Sequence, residues 1–271
     1  MKRRILIGNW KMHGDGGSLL AMATIAEQAA AASGVAVALC IPATLIHRAA
    51  SAFPTLSIGG QDCHPAAAGA HTGEVSATML REAGARLVLA GHSERRAAGE
   101  DDALVAAKIR AAQAAGLCAV LCVGETIEMR RQGQAHAMVE AQLRQSLAGV
   151  DPANLVIAYE PVWAIGSGTT PTPADVAMMT RRIAAQVGDV PILYGGSATP
   201  DTCEPLLADG GIDGFLVGGA SLSPVSFGAM IALLERAGRL VSDQCPIRMQ
   251  YNRRRESNPA VRSMKEPDDD V

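Results

Sequence analysis

Eight short apolar runs, each followed by good helix formers, constrain this 271-residue chain more than any other feature. The runs lie at residues 5–7, 35–41, 56–59, 86–90, 117–123, 155–159, 191–194 and 214–217. Most are continuously apolar instead of alternating, the pattern of parallel strands covered on both faces. The intervening segments are rich in Ala, Leu, Glu, Gln and Arg, most clearly at 19–32, 101–115, 127–147 and 174–187. Thr172-Pro173-Ala174-Asp175 supplies a cap, a proline at the first helical position and a carboxylate in the first turn. Thr199-Pro200-Asp201 and Ser223-Pro224 repeat that start signal. Such unbroken alternation favours an α/β fold, a single (β/α)8 barrel, for which about 250 residues suffice. An open doubly wound sheet is the alternative, because periodicity alone does not show closure.

Composition narrows the function classes. The chain is 48% hydrophobic and 19% charged, which suits a soluble globular protein. A net charge of −3 provides no broad basic face, so nucleic acid is not an expected partner. No segment approaches the ~20 apolar residues of a membrane span, so no membrane partner is expected either. The N-terminus opens like a signal peptide, but its apolar stretch ends after about four residues, short of a secretory segment. Cys40, Cys63, Cys118, Cys122, Cys203 and Cys245 are scattered without a Cys-x-x-Cys pair, which reads as reduced thiols in a cytoplasmic chain. The pattern breaks after residue 240. Residues 1–240 are expected to form the barrel domain and 241–271, with Arg253-Arg254-Arg255 and Asp268-Asp269-Asp270, a flexible tail.

In a barrel of parallel strands, the residues just after each strand share one rim, and active sites are built there. Those residues include Asn9 and Lys11 after the first run, and His92, Ser93 and Glu94 after the fourth. Cys122, Gly124 and Glu125 follow at the fifth, and Glu160 at the sixth. Gly195-Gly196-Ser197 and Gly218-Gly219-Ala220-Ser221 end the seventh and eighth. Two glycine turns on consecutive strands allow close backbone approach to an anion, which favours phosphate binding over plain turns. His92 precedes what reads as a helix start, where the positive helix end disfavours imidazolium and keeps the ring a neutral donor. Taken alone, a carboxylate like Glu160 is more often a salt-bridged structural group than a base, and Lys11 is as consistent with a solvated cation as with one fixed beside an anion. Residues 161–171 form a long connection with an apolar centre, suited either to a lid or to a permanently docked loop. Asp62, Cys63, His64 and His71 match no trusted zinc spacing and read as structural; no metal is expected.

Together these motifs resemble the triosephosphate isomerase family over roughly residues 2–239. They are Gly8-Asn9-Trp10-Lys11-Met12, Gly73-Glu74, Gly91-His92-Ser93-Glu94-Arg95-Arg96, Cys122-Val123-Gly124-Glu125, Tyr159-Glu160-Pro161-Val162-Trp163-Ala164-Ile165-Gly166, Tyr194-Gly195-Gly196-Ser197 and Gly214-Phe215-Leu216-Val217-Gly218-Gly219. The resemblance implies interconversion of dihydroxyacetone phosphate and glyceraldehyde 3-phosphate with no cofactor. It assigns Glu160 as base, neutral His92 as electrophile and Lys11 with Asn9 as stabilisers of the enediolate; this division of roles is the family's known one. Gly166, Ser197, Gly218 and Gly219 would hold the phosphate of a small phosphorylated sugar, with Glu94, Ser93 and Cys122 in support. The family is usually a homodimer, in which Thr72 would reach the neighbouring subunit's site. His71 stands where phenylalanine is usual, Asp62 where asparagine is common, and Gly168-Thr169-Thr170 where Gly-Lys-Thr is frequent. These departures leave a paralogue acting on another short phosphorylated ketose, such as a tetrulose phosphate, as the alternative. A binding scaffold and an aldolase using Lys11 as a Schiff-base amine fit the intact residues less well.

Overall fold

The computed structural model describes residues 4–165 and 171–237. Its strands are β1 (Ile5–Asn9), β2 (Ala36–Cys40), β3 (Ser57–Gly60), β4 (Leu87–Ala90), β5 (Cys118–Val123), β6 (Leu155–Tyr159), β7 (Ile192–Gly195) and β8 (Gly214–Val217). The helices are α1 (Gly16–Ala32), α2 (Ala43–Ala52), α3 (Ala77–Glu82), α4 (Ser93–Ala97), α5 (Asp102–Ala114), α6 (Ile127–Arg131), α7 (Ala135–Ser146), α8 (Pro173–Val187), α9 (Pro200–Asp209) and α10 (Pro224–Arg236). All strand pairings are parallel and follow chain order, and β8 returns to β1. The sheet is therefore a closed barrel, not the open alternative.

The continuous apolar runs follow from burial on both faces. Successive side chains of a strand point to opposite sides. Ile5 and Ile7 face the barrel interior with Ala36, Ala38 and Cys40, whereas Leu6, Val37 and Leu39 join the layer under the helices. Large and small residues meet in register inside: Ile7 lies between Ala38 and Leu216, and Ala158 between Cys122 and Leu193. The interior is thus a packed core, not a pore. Each fully buried Leu or Ile contributes roughly 1.5–3 kcal/mol of hydrophobic stabilisation.

Helix starts follow side-chain chemistry. Thr172 accepts from the Asp175 amide, and the Asp175 carboxylate returns to the Thr172 amide, closing a capping box on α8. Asp15 caps α1, Asp101 caps α5 and Ser223 caps α10. The expected single helix at 127–147 is two helices. Gly133 adopts φ +71, a left-handed conformation open to glycine, and the chain turns between α6 and α7. Helix α4 begins at the start expected after His92, whereas α2 and α3 were not singled out in the sequence; α2 has Pro42 at its N-cap and no side-chain cap. Cys40, Cys63, Cys118, Cys122 and Cys203 are free and buried. Among the described residues, no helix is long and apolar enough to cross a membrane. The expected tail at 241–271 lies outside the described residues.

Candidate active site

The carboxyl ends of the strands open onto a cavity of about 790 Å3, whose lining includes Asn9, Lys11, His92, Glu160, Ser197, Gly218 and Gly219. Seven of the residues singled out in the sequence are therefore brought to one place by turns that follow five different strands. Gly166 lies outside the described residues.

Glu160 leaves β6 with only 3% of its surface exposed. Its Oε1 stands 3.4 Å from His92 Nε2, and its Oε2 accepts from the Ser93 amide at 3.2 Å. Two glycines make this position possible. A Cβ on Gly124 would fall 1.7 Å from the Glu160 carbonyl oxygen, and one on Gly195 would fall 2.8 Å from Glu160 Cγ. The Cys122 thiol is pushed well above its usual pKa, first by burial and then by the Glu160 carboxylate. Cys122 thus remains a neutral neighbour of that carboxylate.

His92 caps α4 and is 6% exposed. Its Nδ1 accepts from the Glu94 amide at 3.2 Å. A ring nitrogen that accepts from a backbone N–H carries no proton, which assigns the neutral tautomer with its proton on Nε2. That proton points toward Glu160 and the cavity. The local helix start expected from the sequence therefore has a defined consequence for the ring.

Lys11 is held in a backbone conformation that side chains rarely adopt. Its φ is +53, the one positive φ at a non-glycine position among the described residues. Such a residue costs on the order of 1–2 kcal/mol and is maintained only by its surroundings. Here its amide donates to Asn9 Oδ1 at 3.0 Å, and its carbonyl accepts from Gln61 Nε2 at 2.8 Å. The ammonium meets Glu94 Oε1 at 2.5 Å. Burial opposes charge on Glu94, yet the Lys11 hydrogen bond and charge hold its carboxyl below the ordinary value. Lys11 is thus an ion-paired cation at the cavity wall.

The turns after β7 and β8 complete the wall. Ser197 Oγ donates to the Ala164 carbonyl at 2.8 Å, and Ser221 Oγ to the Gly218 carbonyl at 2.6 Å. A Cβ on Gly218 would lie 3.6 Å from Lys11 Cε, an ordinary contact distance, so the turn after β8 passes beside the lysine side chain. The connection after Glu160 is docked where it is described: Ala164 is fully buried, and Trp163 Nε1 donates to Glu125 Oε1 at 2.8 Å. Residues 166–170, at the centre of the expected lid, lie outside the described residues.

Other expectations fall away from the cavity lining. Thr72 is exposed in the segment between β3 and α3. Asp62 bridges Lys108 and Arg95, Cys63 Sγ meets the Lys108 carbonyl, and the His64 and His71 rings stack with centroids 3.9 Å apart. Among the described residues, no group of three or more His, Cys, Asp or Glu is placed to hold a metal ion. Sequence reasoning passed over Gln61, which ties Asn9 to Lys11. Its position directly after β3 is the signal that the strand-end rule offered.

Three comparisons bear on this site. Residues 4–234 match the family model described as triosephosphate isomerase. A triosephosphate isomerase of Ruegeria sp. (strain TM1040) is 50% identical over 244 residues, covering 86% of this chain and 99% of the relative. One from Xanthobacter flavus is 48% identical over 238 residues, covering 83% and 95% respectively. The crystal structure of triosephosphate isomerase from Bartonella henselae superposes with a TM-score of 0.79 at 41% identity, covering 87% of this chain and all of that one.

Proposed function

This chain belongs to the triosephosphate isomerase family, and we propose that it interconverts dihydroxyacetone phosphate and D-glyceraldehyde 3-phosphate through an enediolate. The observation that carries this reading is the buried Glu160 carboxylate 3.4 Å from His92 Nε2 at the wall of one cavity with Lys11 and Asn9. Glu160 removes a proton from the carbon beside the substrate carbonyl and returns it to the neighbouring carbon. The His92 Nε2–H donates to the carbonyl oxygen, and transfer of that proton between the two oxygens completes the exchange. Lys11 and the Asn9 amide face the developing negative charge. Ser197, Gly218 and Gly219, with Gly166, hold the phosphate, supported by Glu94, Ser93 and Cys122.

The barrel over residues 1–240 acts as one domain, in the cytoplasm, as a homodimer. Support for the dimer comes from Met12, 95% exposed beside the site, and from the exposed stretch that carries Thr72. Large exposed apolar side chains next to a functional site mark a contact surface. Light scattering of the purified chain is expected to give twice the chain mass.

The deciding experiment is a coupled assay of purified protein with glyceraldehyde 3-phosphate beside a tetrulose phosphate. Turnover of the three-carbon substrate is expected to dominate. A higher kcat/KM for the four-carbon substrate would transfer the assignment to that ketose.

A further inference from the structure

Arg130, in the last turn of α6, joins three groups on different elements. Its Nη2 donates to Asp175 Oδ1 at 2.6 Å, its Nη1 lies 3.6 Å from Glu125 Oε1, and its Cζ sits 4.7 Å from the centroid of the Trp163 ring. Glu125 is fully buried and is itself a hub. It accepts from the Tyr159 hydroxyl at 3.1 Å and from Trp163 Nε1 at 2.8 Å, and its carbonyl accepts from the Val162 amide at 3.1 Å. Tyr159 precedes Glu160, and Val162 and Trp163 follow within three positions. Residues on both sides of the proposed base are therefore tied to Glu125: Tyr159 and Trp163 by side chain, Val162 by backbone.

The far anchor of this chain of contacts is also fixed. Asp175 accepts from the Thr172 hydroxyl at 2.7 Å within the capping box of α8. Arg130 thus links a rigid helix start to the two groups that hold the backbone around Glu160. A guanidinium suits this role, since its fork serves carboxylates in its plane while its face stacks on an aromatic ring.

We propose that Arg130 is a positioning residue for Glu160, acting through the Glu125 carboxylate and the Trp163 ring. The inference rests on Glu160 being the base. Without Arg130, Trp163 loses the cation on its face and the buried Glu125 carboxylate loses its neighbouring positive charge. The strand exit that carries Glu160 then has freedom to shift, and small misplacements of a reacting group cost up to about 100-fold in rate.

The test is steady-state kinetics of the full chain with Arg130→Met and Arg130→Lys, each also made in a Glu160→Asp background. Arg130→Met is expected to lower kcat by about 10–100-fold with KM within about twofold. Arg130→Lys, which keeps a cation but loses the fork, is expected to recover part of that loss. In the Glu160→Asp background the Arg130 substitutions should cost much less, because residues that act through one another are not additive. Trp163 emission should shift in Arg130→Met, reporting that the ring has lost its partner. Unchanged kcat despite that shift, or full additivity with Glu160→Asp, overturns the proposal. If Arg130→Met does not fold, Arg130→Lys carries the same test, and an unchanged kcat in it overturns the proposal. A wild-type chain without isomerase activity is a separate outcome, which removes the base assignment on which the inference stands.

Discussion

Two clusters of buried charge stand in this barrel and are built in opposite ways. In one, Lys108, 4% exposed, is gripped by Asp62 at 2.7 Å and Glu100 at 2.5 Å, and Arg95 Nε adds a contact to the same Glu100 oxygen at 2.7 Å. In the other, Glu160 is buried as deeply but has a neutral imidazole at 3.4 Å and one amide at 3.2 Å. The first set pairs two acids with two bases around Lys108, with Arg95 reaching solvent and Glu100 Oε2 buried without a hydrogen-bond partner. The second is left with weak partners and faces a cavity. Burying a carboxylate without a strong partner is unfavourable, which fits the role proposed for Glu160 as base, whereas a cluster of mutually paired charges fits an architectural role.

The strongest way to break this contrast is Glu160→Gln. A shape-conserving loss of the base is expected to lower kcat by about 10^3-fold or more, about 4 kcal/mol of barrier. The unfolding temperature should hold or rise, because a poorly partnered charge has been removed. Turnover close to the wild-type value would end the assignment of Glu160. The reciprocal substitution is Lys108→Met, which leaves Asp62 and Glu100 facing each other without the ammonium. Urea unfolding is expected to show a loss of about 3–5 kcal/mol, with kcat of the folded enzyme nearly unchanged. A stability loss below about 1 kcal/mol would mean that the cluster is not architectural.

His92→Gln sharpens the same comparison at smaller magnitude. Glutamine can still donate toward the substrate oxygen but cannot relay a proton. A fall of about 100-fold in kcat, roughly 2.7 kcal/mol, is expected, with KM and unfolding temperature close to wild type. A change confined to KM would assign His92 to binding alone.

The cluster at the cavity was far more legible in the sequence than the one around Lys108. Glu160, His92, Lys11 and Asn9 each sit where an apolar run gives way to polar residues, and a closed parallel barrel delivers all such positions to one rim. No comparable rule joins Lys108 to Asp62, which are 46 positions apart and meet only because α5 packs beside the segment after β3. Position alone left Lys11 open between a solvated and a fixed cation; only the fold brings its ammonium to Glu94 on another turn. The same holds for Arg130, whose partners after β5, on α8 and in the stretch after β6 come together only in the fold. Helix α2 was missed because it has neither a capping side chain nor a strong start signal, and the break at Gly133 because one glycine within a polar helical run reads as tolerated until its φ is known.

The smallest effect tests the balance inside the architectural cluster itself. Burial raises the Asp62 carboxyl above its usual 3.8, and the pull of Lys108 and Arg95 does not fully offset that rise. A carboxyl raised by folding contributes stability that is present below pH 3.8 and is lost as pH climbs through its folded value. A neutral amide at this position would carry no such dependence. Asp62→Asn is therefore expected to gain on the wild type between acidic and neutral pH, by up to about 1 kcal/mol at neutral pH. Urea midpoints of both proteins at about pH 4 and about pH 7, compared at equal slope, measure the difference. If the variant instead loses ground as pH rises, the ion pairs outweigh the burial of Asp62, and the second carboxylate on Lys108 is a stabilising part of the cluster.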